Sequence, residues 1–302
     1  MTDVAEIEKQ RRRSSLKEGR VFHTVSVLML TVMTLLIAYP IWNVIVSSFS
    51  DAQALAEGNV TAWPHGFTLE NYKAVFRDSS LCQAFGISVS KTLLGVATHL
   101  GITSMAAYAM SKRRLAGRRL YTAMGLVTMF FSGGMVPTYL LFRQLGLLDN
   151  FMVFILPQLF SYFDMVIIMN FFRDIPASLE ESAEIDGASV WQTFTRIILP
   201  LSKPVLATIA LFNGVFQWND YMTTKMFINN KGLYPIQMKL YEIVVQSQMQ
   251  DMVNPGIGVV LPTTTRSIQL ATIVVTALPI VLVYPFLQKY FVSGMTLGAV
   301  KE

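Results

Sequence analysis

Glu181-Ser182-Ala183-Glu184-Ile185-Asp186-Gly187, followed after nine residues by Ile197-Ile198-Leu199-Pro200, forms a polar interruption between two long apolar stretches. The residues around it are rich in helix signals. Ser178-Leu179-Glu180-Glu181 reads as a capping box, in which a serine oxygen accepts an orphan backbone amide and the glutamate three residues on reaches back. Glu180 and Glu181 also place negative charge on a helix N-terminus, where the backbone dipole favours it. Gly187 suits the left-handed conformation that stops a helix. A second box, Ser189-Val190-Trp191-Gln192, predicts another helix through Ile198 that Leu199-Pro200 ends, and Lys203-Pro204 opens the next apolar stretch. The local pattern is two short capped helices about a glycine corner. Such a knob is rigid enough to transmit force, although an ordinary interfacial helical hairpin has the same local signals.

Outward from this loop the chain reads as membrane-spanning. Of its 302 residues 53% are hydrophobic and 14% charged, and its mean hydropathy is +0.47. A soluble domain carries about 25% charged residues. Apolar stretches near Phe22–Phe49, Ala84–Met110, Leu120–Phe142, Phe151–Phe172, Pro204–Thr223 and Ser267–Phe291 approach or exceed the ~20 residues needed to cross a ~30 Å hydrocarbon core. Several contain Gly, Pro or polar residues, which a bundle tolerates because neighbouring helices satisfy the freed backbone groups. Ser132-Gly133-Gly134-Met135-Val136-Pro137 marks a break within the third stretch, either a packed kink or a bent helix lining a cavity. The fold class expected is all-α integral membrane, with six transmembrane helices. Residues 1–20 form a basic tail and residues 21–302 the membrane domain, with loops at about 176–200 and 224–265.

Orientation follows from charge. Placing both termini in the cytoplasm puts most of the 24 Lys and Arg on that side, including Lys112, Arg113, Arg114, Arg118 and Arg119 after the second span. The same assignment makes the Glu181 loop cytoplasmic. The net charge of +5 then reflects topology and attraction to anionic lipid, and nothing in the pattern suggests nucleic acid. The first apolar run, about 28 residues, exceeds the 7–15 of a secretion-signal core and is read as a retained helix.

The Glu181–Pro200 stretch resembles the signature loop of ABC-importer permeases, whose pattern is E-A-A, three residues, G, nine residues, then I-x-L-P. The spacing fits without insertion; Ser182 stands where the second motif residue is usually alanine. The resemblance implies the type I ABC importer permease fold and a role in ATPase coupling. Glu181, Ser182, Ala183, Asp186 and Gly187 form the motif core, and Ile197, Leu199 and Pro200 its tail. It implies as partners a homologous second permease, an ABC ATPase dimer and an extracytoplasmic solute-binding protein, in a multi-pass protein of the bacterial cytoplasmic (inner) membrane. No G-x-x-x-x-G-K-[ST] phosphate loop occurs, so ATP and Mg are expected on the partner ATPase and no cofactor on this chain.

The cargo is read from the fifth span. Asn213, Phe216, Gln217 and Asp220 share one face of an ideal helix, and an aromatic beside amides and a carboxylate is chemistry that stacks on and hydrogen-bonds a sugar. The span resembles that of carbohydrate-importer permeases of the maltose-transporter type, and Trp63-Pro64-His65-Gly66-Phe67 resembles a branch importing oligosaccharides derived from polysaccharides. The resemblance therefore implies oligosaccharide import by alternating access. A second reading makes this face polar glue toward the partner permease. Asp164, Asn170, Lys91 and His99 are secondary candidates: a lone membrane Asp or His is usually structurally paired, and Lys91 is expected to snorkel to the outer interface. The family's counterpart of the 224–265 segment reaches into the binding protein.

The single cysteine, Cys82, allows no intrachain disulfide and reads as a packed thiol. No nucleophile triad, paired acid and base or metal cluster is evident, so the chain is expected not to be an enzyme. An importer of a non-sugar solute, and an ATP-independent secondary transporter using Asp164 or Asp220, are the alternatives.

Overall fold

The computed structural model describes residues 2–253 and 265–299, with side chains over 22–249 and 265–285, and every regular element among them is helical. The chain divides into two compact units, Met1–Lys73 with Gly256–Val274 and Ala74–Pro255 with Val275–Glu302.

In the first unit, α1 (Thr2–Ser48) is continuous, so the basic tail is the start of the first helix. Its stretch Phe22–Ser48 is long and apolar enough to span a bilayer. The short α2 (Ala52–Ala56) follows, with the Asp51 carboxylate accepting the Ala52 amide at its start. α3 (Glu70–Arg77) lies within a residue of the amphipathic helix predicted over 69–76. Buried Asn71 ties the turn together by donating to the carbonyl oxygens of Ser48 and Ser50 at 3.0 and 3.1 Å. Phe49 stacks on Phe67, with centroids 5.7 Å apart.

The second unit is built on α4 (Ser79–Ser111), which packs against α7 (Tyr162–Asp174) and α11 (Lys203–Asn219). The third predicted span is two helices, α5 (Arg118–Phe130) and α6 (Met135–Gln144), bent by 114° at the Ser132-Gly133-Gly134 break. Gly134 adopts φ +87°, a conformation open to glycine and costly for other residues. The fourth predicted span is not one helix. Its first half, Phe151–Gln158, is two 3₁₀ turns, and Ser161 caps the start of α7 after a 48° bend. Pro157 cannot donate to a continuing ladder, which explains the break.

Beyond α7, the loop contains α8 (Ala177–Ile185), α9 (Val190–Thr193), a π turn (Phe194–Ile198) and α10 (Leu199–Leu201). After α11 come α12 (Met222–Phe227), a 3₁₀ turn (Lys231–Leu233) and α13 (Ile236–Val253). The segment read from sequence as a glycine-containing loop is therefore largely helical up to Val253. Asn254-Pro255-Gly256 and Gly258 lie outside the described residues. α14 (Thr265–Ala299) contains Pro279 and Pro285. Among the described residues three helices can span a membrane alone, and six spans result if each bent pair is one span.

Candidate functional site

The loop between α7 and α11 turns at the predicted glycine corner, with a hydrogen-bonded helix end before it and a capped helix start after it. Gly187 adopts φ +79°. The Ala188 amide donates to the Ala183 carbonyl at 2.9 Å and the Gly187 amide to Glu184 at 3.1 Å, the paired bonds of a Schellman helix end. Two residues on, the predicted capping box forms: Gln192 N donates to Ser189 Oγ at 3.2 Å and Ser189 N to Gln192 Oε1 at 2.8 Å. The first box does not form. Pro176 (φ −57°, ψ 128°) sets the chain's entry and α8 begins at Ala177, so Ser178 lies within the first turn and caps nothing.

Pro200 likewise does not end its helix. The backbone widens to a π turn over Phe194–Ile198, where Leu199 N reaches back five residues to the Phe194 carbonyl, and helix then continues to Leu201. A proline removes an i→i−4 donor, and a π turn is one way a helix changes register around such a loss. The 78° bend falls at Ser202.

Side chains sort this knob into an anchored and a free side. Ala183 is the buried residue of α8, whereas Glu181, Ser182, Asp186 and Gly187 are exposed. The serine departure therefore falls at a surface position of the chain. Of the motif tail, Ile197 and Leu199 are half-buried and Pro200 is exposed, while Ile198 and Phe194 enter the core. Sequence reading missed the apolar tip: Ile185 is 86% exposed, Val190 72% and Trp191 60%. The available signal was three large apolar side chains in an otherwise polar loop. The knob is joined to α4 by a charged contact and an aromatic one, beside its packing in the shared core. Lys112 Nζ pairs with the Glu180 carboxylate and sits 4.1 Å over the Tyr108 ring. Tyr108 in turn packs on Phe194 at 5.0 Å.

The fifth-span residues do not form one open face. α11 stops at Asn219, and Asp220, in extended conformation, caps the start of α12 by accepting the Thr223 amide at 3.0 Å. Gln217 is buried against α4, where Gly95 leaves room: a Cβ there would sit 2.7 Å from Gln217 Nε2. That Nε2 donates to the Phe154 carbonyl at 3.2 Å. Asn213 is buried too, with Oδ1 lacking a partner among the described residues. Phe216 alone of the four is exposed, at 55%. The polar contacts formed here join segments of this same chain.

Lys91 does not snorkel outward. It is fully buried, donating to the Asp220 carbonyl at 2.8 Å, with Asp220 Oδ2 at 3.5 Å and the Phe154 ring centroid at 4.8 Å. The α11–α12 junction folds over the α4 face and supplies the acceptors, which makes burial cheaper than reaching water. His99 and Asp164 pair with each other: Nε2 lies 3.0 Å from Asp164 Oδ2, and Nδ1 lies 2.7 Å from the Gln158 carbonyl oxygen. Asn170 is exposed on α7. Cys82 is exposed rather than packed, its thiol 3.5 Å from the Phe76 carbonyl.

On the α6–α7 connection, Asp149 takes a left-handed backbone (φ 53°) and its carboxylate accepts the amides of Asn229 and Asn230. Those two hydrogen bonds hold its pKa below the ordinary carboxylate value. The clasp fixes the segment after α12.

Membrane-length apolar helices, bent helix pairs and a capped polar loop are the architecture of a multi-pass helical membrane protein. The chain belongs to the family described as "Binding-protein-dependent transport system inner membrane component", whose sequence model matches residues 19–297. It is 41% identical to protein LplC of Bacillus subtilis (strain 168), over 94% of this chain and 96% of that protein. It is 40% identical to the polygalacturonan/rhamnogalacturonan transport system permease protein YtcP of the same organism, over 94% and 99%. A crystal structure of a bacterial ABC transporter involved in the import of the acidic polysaccharide alginate contains a chain that superposes with a TM-score of 0.82 at 31% identity. The match covers 90% of this chain and 97% of that one. The fold is thus that of a type I ABC importer permease, in an inner-membrane multi-pass protein.

Proposed function

We propose that this chain is the permease subunit that carries an oligosaccharide derived from a polysaccharide across the cytoplasmic membrane of a bacterium, powered through the Glu181–Gly187 knob by a separate ATPase. The observation that carries the reading is the knob itself: a doubly capped corner whose exposed Ile185, Val190 and Trp191 form an apolar tip. Exposed apolar clusters mark interaction sites, and this one stands on the motif that resembles the ATPase-docking loop. Glu181, Ser182, Asp186 and Gly187 would meet the ATPase dimer, which binds ATP and Mg. Ala183, Ile197 and Leu199 belong to its anchored side, and Pro200 lies exposed where the knob leads into the fifth span.

Closure of the ATPases on ATP would push α8 and, through Lys112–Glu180 and Tyr108–Phe194, tilt α4 between inward- and outward-open states. Both termini then lie in the cytoplasm, a homologous permease completes the pathway, and a solute-binding protein delivers the sugar to the outer side, where α13 is the element available to receive it. The names of the relatives supply the cargo class. Phe216 is the residue of this chain placed to stack on a sugar, while Asn213, Gln217 and Asp220 shape the wall behind it.

The test is uptake by the importer reconstituted with its binding protein, offered acidic and neutral oligosaccharides of equal length and, separately, amino acids. Accumulation of an oligosaccharide that drops several-fold in Phe216→Ala is the expected result. Accumulation of an amino acid, with no oligosaccharide moved, would overturn the cargo assignment and leave the docking reading standing.

A further inference from the structure

A second site opens on α5, away from the knob. α4, α5 and α7 leave between them a crevice of about 510 Å³. Ala106 and Ala109 on α4, Met124 on α5 and Met165 on α7 make its walls, and Phe160 and Tyr162 close one end. Apart from the Tyr121 and Tyr162 hydroxyls, its lining offers one polar side chain, Thr128, whose hydroxyl is already committed to the Gly125 carbonyl at 2.8 Å. Such a lining is unsuited to a sugar, which needs many hydrogen-bond partners.

The other end is basic on two of the walls. On α5, Arg118, Tyr121, Gly125 and Thr128 follow one another at helical spacing, and the last three line the crevice, so Arg118 stands at its mouth. On α7, Arg173 continues the Met165–Met169 face and donates to the Met110 carbonyl at 3.1 Å, at the end of the α4 wall. Arg113 and Arg118 lie within electrostatic reach of Arg173. The positive charges of Arg113 and Arg118 act on the Arg173 guanidinium, and an anion at this opening would relieve that repulsion. The rise from Arg118 to Thr128 is about 15 Å, half of a ~30 Å hydrocarbon core. Apolar crevice, depth of one leaflet and cationic mouth coincide.

We infer that the crevice holds one acyl chain of an anionic phospholipid from the cytoplasmic leaflet, its phosphate bound by Arg113, Arg118 and Arg173. The inference rests on the cytoplasmic placement of residues 112–117 proposed above. Basic pockets between membrane helices on that side recognise anionic head groups, each basic residue adding to the attraction. The lipid would wedge α5 against α4 beside the Lys112 contact to the knob.

The test uses the whole importer complex, reconstituted into vesicles of equal phosphatidylglycerol and phosphatidylcholine, re-extracted, and analysed for retained lipid by native mass spectrometry. The wild type is expected to retain phosphatidylglycerol selectively. Arg113→Gln/Arg118→Gln, two changes outside the core, should lower that enrichment on the order of tenfold. Ala109→Trp, which fills the crevice and keeps every arginine, should abolish it as well, which separates a lipid from a free phosphate. No enrichment in the wild type, or enrichment untouched by the arginine pair, would overturn the assignment. So would loss of the second permease from the Ala109→Trp complex with lipid retention unchanged, since the crevice would then seat that subunit.

Discussion

Gly187→Val is expected to cut substrate uptake on the order of tenfold while the protein still inserts and assembles. Gly187 sits at φ +79° with nothing within 4 Å of where a Cβ would be, so the substitution acts on the backbone alone. A non-glycine residue in the left-handed region costs about 1–2 kcal/mol, and β-branching makes valine worse there. That cost falls on the Schellman bonds from Ala188 to Ala183 and from Gly187 to Glu184. Released, the chain would leave the helix end, and the apolar tip of Ile185, Val190 and Trp191 would lose its fixed presentation. About 1.4 kcal/mol is tenfold in an equilibrium, which sets the size of the effect. Asn visits the left-handed region readily, so Gly187→Asn should transport nearly as the wild type. Uptake rates alongside membrane abundance check both. Equal uptake by the valine variant would remove the rigid corner from the mechanism.

Asp220→Ala should have the largest effect on folding. It leaves the fully buried Lys91 ammonium with the Asp220 backbone carbonyl and the Phe154 ring but no carboxylate. Breaking a buried pair by removing one partner costs about 3–5 kcal/mol, because an uncompensated charge remains. The backbone acceptor keeps the expectation at the lower end, about 3 kcal/mol. Replacing both partners with apolar groups is often neutral, so Lys91→Met/Asp220→Ala should recover most of the folded protein. Thermal unfolding in detergent reads this. If the single variant is as stable as the wild type, or the double no better than the single, then the pair does not hold the α11–α12 junction onto α4.

What the sequence revealed of this site follows the range of the interactions involved. Gly187 and the Ser189–Gln192 box are settled within a few residues, and both appear as their residue types predict. The Ser178 box failed to a competitor equally local: Pro176 fixes the entry two residues earlier. α13 was legible, for Pro235 precedes it and its carbonyl accepts the Met238 amide, and residues such as Gln, Met, Lys and Leu follow; the glycines after Asn254 drew the reading to a loop instead.

Lys91 and Gln217 could not be placed from sequence. Their partners lie far along the chain, at Asp220 and at Phe154 and Gly95. A helical wheel of α11 puts positions 213, 216, 217 and 220 together, but only packing decides that Gln217 fills the gap over Gly95 while Phe216 stays exposed. The third span's break at Gly133-Gly134 was readable as a break; its 114° angle was not, because the residue types mark where the backbone is freed and not how far it turns.

The docking of the knob can be measured directly. With exposed Cys82 replaced by serine to leave no other thiol, Ile185→Cys offers a single reactive group at the apolar tip. In the assembled importer, a short bifunctional thiol-to-amine reagent should join this residue to the ATPase subunit. Water-soluble maleimide should label it far more slowly than in the chain without its ATPase. A tip labelled at the same rate with and without the ATPase, and never cross-linked to it, would contradict the account.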